Sequence, residues 1–299
     1  MSSRANHFFH LSQTADVSHV FSIDVEDWYQ GIEIPMERWG AFESRVEVGM
    51  DRLLDLMARH DVTATCFVLG RVAEEHPDLV RRIHDAGHEI ATHGYSHAKI
   101  YDLSPARFRR ELRHSMDLLQ DLTGERVRGH RAPYFSITEE SLWALDILRE
   151  EGILYDSSVH PVFNYRYGIP SADRQPSLIT TDEHRSLLEA PVATTPLPDP
   201  LPDVNVPCGG GAYLRIYPYW LQRWLLRRIE ARGEHIGVYM HPWEADPAHP
   251  YLNELPARVS ATHYWNLGST LPKLERLFQE FSFCSYREAF ADELATLTG

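Results

Sequence analysis

The sequence predicts an α/β protein, an irregular (β/α) barrel of about seven strands. Three observations lead there. Helix-like stretches alternate with short apolar runs, as parallel β/α units require. The apolar runs number about seven or eight, enough to close a barrel. Asp24, His93, Arg131, Asp156 and His241 all fall at or just after the ends of those runs, where such barrels gather their functional residues.

The runs lie near residues 20–26, 62–69, 88–92, 126–130, 153–156, 187–192, 235–240 and 282–286. Gly87, Gly124, Gly152 and Gly233 each stand between a helix pattern and the next run. Glycine accepts the left-handed conformation that ends a helix, so these read as stop signals. Ser104-Pro105 reads as a start signal, serine as N-cap and proline at the first helical position. In the helix it opens, Phe108, Leu112, Met116 and Leu119 mark one buried stripe. Residues 1–19 are polar and read as a flexible N-terminal tail, and residues 20–290 as one domain. Residues 161–207 break the rhythm with Pro, Asp and Ser, including the run Pro196 to Pro202. They read as an insertion over the barrel mouth around one strand, Leu187 to Val192.

Composition narrows the partners. With 299 residues, 43% hydrophobic and 24% charged, the chain suits one large domain with a substantial core. A net charge of -14 argues against nucleic acid or an anionic membrane. The one basic cluster, Arg223 to Arg232, interleaves arginines with Trp224, Leu225, Leu226 and Ile229 and reads as an amphipathic helix. Cys66, Cys208 and Cys284 are odd in number and far apart, so free thiols are expected. Residues 1–20 hold no apolar signal core, and no window approaches the ~18 apolar residues of a spanning helix. The expectation is a soluble, cytoplasmic protein, with homo-oligomerisation left open.

The chemistry begins with His93-Gly94-Tyr95-Ser96-His97. Two histidines four apart on a helical turn would share a face and hold one metal ion, but they need a carboxylate from elsewhere. The first run offers three acids: Asp24, Glu26 and Asp27. Asp24 and Glu26 would share one side of an extended strand, and Asp27 is an alternative ligand to Glu26. Arg131-Ala132-Pro133-Tyr134 and His241-Pro242 complete the set, which suggests a metal-dependent hydrolase. Taken singly, Arg131 reads as a structural ion-pair partner, His241 as a core histidine and the aromatics as core. Their joint position at strand ends favours function. The glutamate of H-E-x-x-H proteases is missing, and Gly209 to Gly211 lack the lysine of a phosphate loop, so those glycines read as a bend beneath the cleft.

From about Val20 to Glu288 the chain resembles the polysaccharide deacetylases of the NodB-homology type, carbohydrate esterase family 4. The residues that carry the resemblance are Asp24 to Trp28, His93 to His97, Arg131 to Tyr134, Tyr155 to Ser158, Arg166 to Pro170, Gly209 to Gly211 and His241 to Glu244. They resemble most the subgroup associated with bacterial exopolysaccharide and exosortase loci. The resemblance implies a NodB-type barrel and removal of N-acetyl groups from the amino sugars of an exopolysaccharide or its precursor. It implies a divalent metal, Zn2+ first, on Glu26, His93 and His97. It further implies Asp24 as general base, Arg131 as the partner that keeps it ionised, and His241 as proton donor to the leaving amine. Backbone N–H groups near Tyr134 would hold the oxyanion, and Asp156 would orient His241. Tyr134, Trp28 and Trp243 would line the sugar cleft. The family commonly has adjacent aspartates where this chain has Asp24-Val25-Glu26-Asp27, so the second acid stays open between Glu26 and Asp27. Three other readings remain. One is a small-molecule amide hydrolase, deformylase- or allantoinase-like, in a small closed pocket. Another is a non-catalytic carbohydrate-binding domain. An iron oxygenase also uses two histidines and a carboxylate, but needs neither Arg131 nor His241.

Overall fold

The computed structural model describes residues 7–10, 18–164, 166–182, 185–197 and 204–298. Among them the strands are β1 (His7–His10), β2 (His19–Val25), β3 (Thr65–Val68), β4 (Glu89–Thr92), β5 (Gly129–His130), β6 (Tyr155–Asp156), β7 (Ser177–Asp182), β8 (Arg185–Glu189), β9 (Thr194–Pro196), β10 (Asn205–Pro207), β11 (Gly237–Met240) and β12 (Phe283–Cys284). All seven residues of β2 are buried, as expected of a parallel strand covered on both faces.

Among the described residues seven strands run parallel, in the order β8-β6-β5-β4-β3-β2-β11. The sheet curls, and its two ends are joined by isolated hydrogen bonds rather than a ladder. Ala193 N–H donates to the Gly237 carbonyl at 2.9 Å, and Gly210 bridges Tyr239. The expected irregular barrel is therefore present. The eighth apolar run, β12, adds no stave and pairs parallel with the start of β2 at His19 and Val20.

Helices cover the outside: α1 (Val46–His60), α2 (Gly70–Glu75), α3 (Pro77–Asp85), α4 (Pro105–Thr123), α5 (Trp143–Glu150), α6 (Gly211–Ile216), α7 (Tyr219–Glu230), α8 (Ala257–Tyr264), α9 (Thr270–Glu280), α10 (Tyr286–Ala289) and α11 (Ala291–Leu297). α4 starts where the sequence predicts. The Ser104 hydroxyl accepts from Arg107 N–H, Pro105 is the first helical residue, and a cap of this kind is worth ~1 kcal/mol. Phe108, Leu112, Met116 and Leu119 are buried as one face, and Gly124 ends the helix with φ +71°. No helix of the described residues is long and apolar enough to cross a membrane. The three cysteines are free.

Three features differ from the sequence reading. β7 adds an antiparallel strand outside β8, and β9 and β10 form a small hairpin, so the 161–207 segment holds more than one strand. Of its proline run only Pro196 and Leu197 lie within the described residues. Inside the expected tail, His7–His10 pair antiparallel with β7; residues 1–6 and 11–17 of that tail lie outside the described residues.

Candidate active site

β2, β4 and β11 end at the same rim of the barrel, which gathers residues far apart in sequence. β2 stops at Val25 because the chain turns: Glu26 N–H donates back to the Asp24 carbonyl at 3.0 Å. β4 stops at Thr92, and His93 N–H reaches across to the Val68 carbonyl at 2.9 Å. The His93-to-His97 stretch is not a helical turn, contrary to expectation. Gly94 (φ +75°) and His97 (φ +55°) are left-handed, and the Gly94 carbonyl accepts from Gly70 N–H. This bend still sets the two rings 5.4 Å apart.

Glu26, His93 and His97 offer ligand atoms that all lie within 4.8 Å of one another, and all three residues are buried. One Glu26 oxygen contacts the His97 Nε2 and stands 3.8 Å from the His93 Nε2. That oxygen has no hydrogen-bond partner, an orphaned buried carboxylate atom of the kind a cation satisfies. The His93 Nδ1–H donates to the Arg131 carbonyl at 2.9 Å, which turns the Nε2 lone pair toward the cluster. Burial first, then the neighbouring His97, holds the His93 imidazole well below its ordinary range, so it stands neutral. Burial works to raise the Glu26 carboxyl, but the charge and contact of His97 outweigh it and keep the group ionised. Two imidazoles and a carboxylate suit a divalent metal.

Asp27 faces elsewhere. Its carboxylate accepts from Trp28 N–H, Arg45 N–H, Val46 N–H and the Ser44 hydroxyl at 2.5–3.3 Å, and so fastens the start of α1. The turn at Glu26, rather than strand alternation, separates the two acids.

Asp24 sits beside the cluster with one oxygen 2.7 Å from the Arg131 Nη1. Arg131 is fully buried and held on every side by the Ser22 and Ser157 hydroxyls, the Ser157 carbonyl and the Tyr286 hydroxyl at 2.9–3.3 Å. Its guanidinium lies 4.2 Å from the Phe67 ring centre. A guanidinium fixed this firmly can hold Asp24 in one orientation without consuming both of its oxygens.

His241, just past β11, points its Nε2 toward the cluster, 3.7 Å from a Glu26 oxygen. Its Nδ1 is 2.9 Å from Glu244, which also accepts from the His241 N–H at 3.0 Å and from the Arg215 Nε at 2.9 Å. Burial alone would lower the His241 pKa. The hydrogen bond to Glu244 and the charges of Glu26, Glu244 and Asp24 overcome it and raise the imidazole to about 9. Burial likewise opposes ionisation of Glu244, but Arg215 and His241 hold it at about 2. Glu244 and Arg215 are the residues that sequence reasoning missed. The signal was present for Glu244, an acid three residues after a histidine in a turn following a strand. Nothing marked Arg215.

Two expected cleft residues lie elsewhere. Asp156 is fully buried, with its carboxylate taken by the His130 ring at 2.6 Å and by the Ser158 hydroxyl and N–H, so it does not orient His241. Trp28 is only 1% exposed and packs edge-on against Tyr29 and Phe42 beneath the site, because the turn at Glu26 sends the chain inward. Tyr134 and Trp243 do line the cleft, a cavity of ≈360 Å³ that also contains Asp24, Glu26, His93, His97 and His241. Trp243 stacks on His241 at 5.1 Å, and Tyr134 meets His97 edge-on at 4.6 Å. Tyr134 and Phe135 both adopt positive φ, and the Phe135 N–H is already donated to the Ala132 carbonyl, so it is not available to an oxyanion. At the rim, Lys99 and Arg166 both pair with Glu33, at 2.7 and 2.6 Å, beside the Tyr134 ring.

Comparison with known proteins meets this geometry from two sides. Residues 41–152 match the family model described as polysaccharide deacetylase, and residues 157–291 match one described as a domain of unknown function, DUF3473. The chain is 35% identical over 113 residues to a peptidoglycan deacetylase of Helicobacter pylori, covering 38% of each chain. It is 30% identical over 123 residues to a peptidoglycan-N-acetylglucosamine deacetylase of Bacillus cereus, covering 37% of this chain and 45% of the relative. It is 30% identical over 96 residues to a chitooligosaccharide deacetylase of Rhizobium leguminosarum bv. trifolii, covering 29% and 45%. These matches span less than half the length of each relative.

Among solved structures, a putative polysaccharide deacetylase of Mycobacterium smegmatis superposes with a TM-score of 0.64 at 20% identity, over 98% of this chain and 96% of that one. A probable polysaccharide deacetylase of Pseudomonas aeruginosa does so with 0.59 at 17% identity, over 91% and 89%. An allantoinase gives 0.62 at 17%, over 93% and 90%. At such identities the likeness is one of fold. The family model and the deacetylase relatives together show that this chain carries, over residues 41–152, sequence of the polysaccharide deacetylase family, the NodB, carbohydrate esterase family 4 type.

Proposed function

We propose that the protein is a zinc-dependent N-deacetylase that hydrolyses the acetamide of amino sugars in a bacterial exopolysaccharide or its precursor within the cell. One observation carries the reading: a Glu26/His93/His97 cluster lies between an Asp24 carboxylate paired to a buried arginine and a histidine paired to a buried glutamate. Binding alone needs neither a carboxylate poised beside a metal cluster nor a histidine kept protonated.

A divalent ion bound by Glu26, His93 and His97 supplies polarisation of the acetamide carbonyl and acidification of a water molecule. The chain's own residues do the rest. Asp24, oriented by Arg131, takes the proton of the attacking water. His241 enters the cycle protonated, because Glu244 and its acidic neighbours hold its pKa high. Its Nε2 gives a proton to the departing amine while its Nδ1–H stays on Glu244. Arg215, buried and bonded to Glu244, keeps that carboxylate ionised and in place. Trp243 fixes the plane of the His241 ring, and Tyr134 closes the opposite wall.

The cleft is lined by Tyr134, Tyr167, Tyr213, Tyr239 and Trp243 and adjoins a second cavity, which supports a glycan over a cyclic amide as substrate. The decisive experiment is acetate release from N-acetylated glycans by purified, zinc-loaded protein, with Asp24→Asn as control. Losing the base is expected to cost about two to four orders of magnitude in kcat with metal retained. No acetate from these glycans, with hydrolysis of an N-formyl amine or of allantoin offered to the same protein, would favour the small-molecule reading.

A further inference from the structure

A second cavity adjoins the cleft at its rim. Of ≈490 Å³, it shares Asn164, Arg166 and Tyr167 with the first and is lined also by Tyr101, Thr138 and Phe163. Phe163 is 90% exposed, the most of any large apolar side chain among the described residues. An apolar side chain left in water is ordinary when it rides a loose loop. This one does not.

Val162 N–H and Ile169 N–H both donate to the His160 carbonyl, at 2.8 and 2.9 Å, so the two ends of the loop are pinned to one atom. Gly168, at φ +99°, allows the return; a Cβ there would lie 2.2 Å from the Val162 carbonyl oxygen. The Arg166 carbonyl is held by the Tyr101 hydroxyl at 3.1 Å, and the Pro161 carbonyl by the Asn205 amide at 2.9 Å. The Tyr167 ring stacks on His160 with 9° between planes. Backbone hydrogen bonds at both ends of the loop thus hold Phe163 beside a cavity that adjoins the catalytic one across Asn164, Arg166 and Tyr167.

Resting on the deacetylase reading above, we infer that Phe163 is the platform of a distal glycan subsite, which takes a hexose ring of the same chain whose acetamide lies at Asp24. The apolar face of a pyranose covers an aromatic ring and removes it from water, while its hydroxyls reach the polar side chains of the facing wall. Thr138, Glu139 and Glu140 line the same cavity as Phe163. The catalytic cavity reads the acetamide, and the second cavity reads chain length.

The test compares kcat/KM for acetate release from N,N′-diacetylchitobiose and from penta-N-acetylchitopentaose, on the full chain and on Phe163→Ala and Phe163→Trp. The wild type is expected to favour the pentamer by about five- to tenfold. Phe163→Ala should bring that ratio close to one, and Phe163→Trp should keep it. A ratio unchanged in Phe163→Ala overturns the subsite. Titration calorimetry with the pentamer separates this from failure of the deacetylase reading. If neither oligomer is hydrolysed, weaker pentamer binding by Phe163→Ala still supports the platform, and equal binding, or none by either protein, overturns it.

Discussion

His241 owes its proton to a carboxylate three residues along the chain. Without Glu244 the hydrogen bond that most opposes burial is lost and the imidazole pKa falls, and a neutral ring cannot donate to an amine. The raised pKa means that the donor is present below about 9 and is lost as pH rises through that value. Glu244→Gln is expected to move the alkaline limb of the kcat profile to lower pH while KM changes little, as pH-rate profiles on a metal-loaded glycan assay would show. An unmoved limb would remove Glu244 from this role. The neighbouring acids separate in the same way. Glu26→Gln should lose tightly bound metal, measured by elemental analysis. Asp27→Ala should keep it, yet lose about 1–3 kcal/mol of stability, because three backbone donors and the Ser44 hydroxyl are left without their acceptor.

At the scale of elements, the site is made where strands stop. β2, β4 and β11 each give way to a turn that swings a polar side chain over the barrel rim, and the turns are held by neighbours rather than by their own propensity. Gly211 is the sharpest case. It opens α6 against the His241-to-Glu244 turn, and a Cβ there would lie 2.1 Å from the Glu244 carboxylate. Gly211→Ala is therefore expected to displace Glu244 from His241 and lower kcat about tenfold or more, with the far-UV circular dichroism spectrum unchanged. Wild-type turnover in that variant would mean that the carboxylate moves aside at no cost. The sequence places the glycine triplet beneath the cleft, but its purpose appears only once α6 and the turn are brought together.

For the whole molecule, the Glu26/His93/His97 cluster ties the end of β2 to the end of β4, with Arg131 behind them joining β5 to both. A metal bound there stabilises the folded chain by mass action, about 2.7 kcal/mol at a free concentration 100 times Kd. Removal with a chelator should lower Tm by roughly 4 °C in a chain of this size, and zinc should restore it. A Tm indifferent to chelation would place the metal elsewhere.

The amino-acid sequence alone determines the barrel and most of its rim. Period and punctuation are local properties, so the eight apolar runs, the Ser104 cap and the buried stripe of α4 are legible without neighbours. The residues of the cluster, with Asp24, Arg131 and His241, are legible because each stands at a strand end and resembles a known motif. Tertiary structure decided what depends on direction. Whether Glu26 or Asp27 faces the histidines turns on one bend after Val25. Whether Trp28 meets solvent turns on where the chain goes next. Whether Asp156 or Glu244 holds His241 turns on which strands are neighbours in the curled sheet, since Asp156 on β6 is taken by His130 on β5. Spacing along a chain states which residues can share a face; only packing in three dimensions states which partner each one meets.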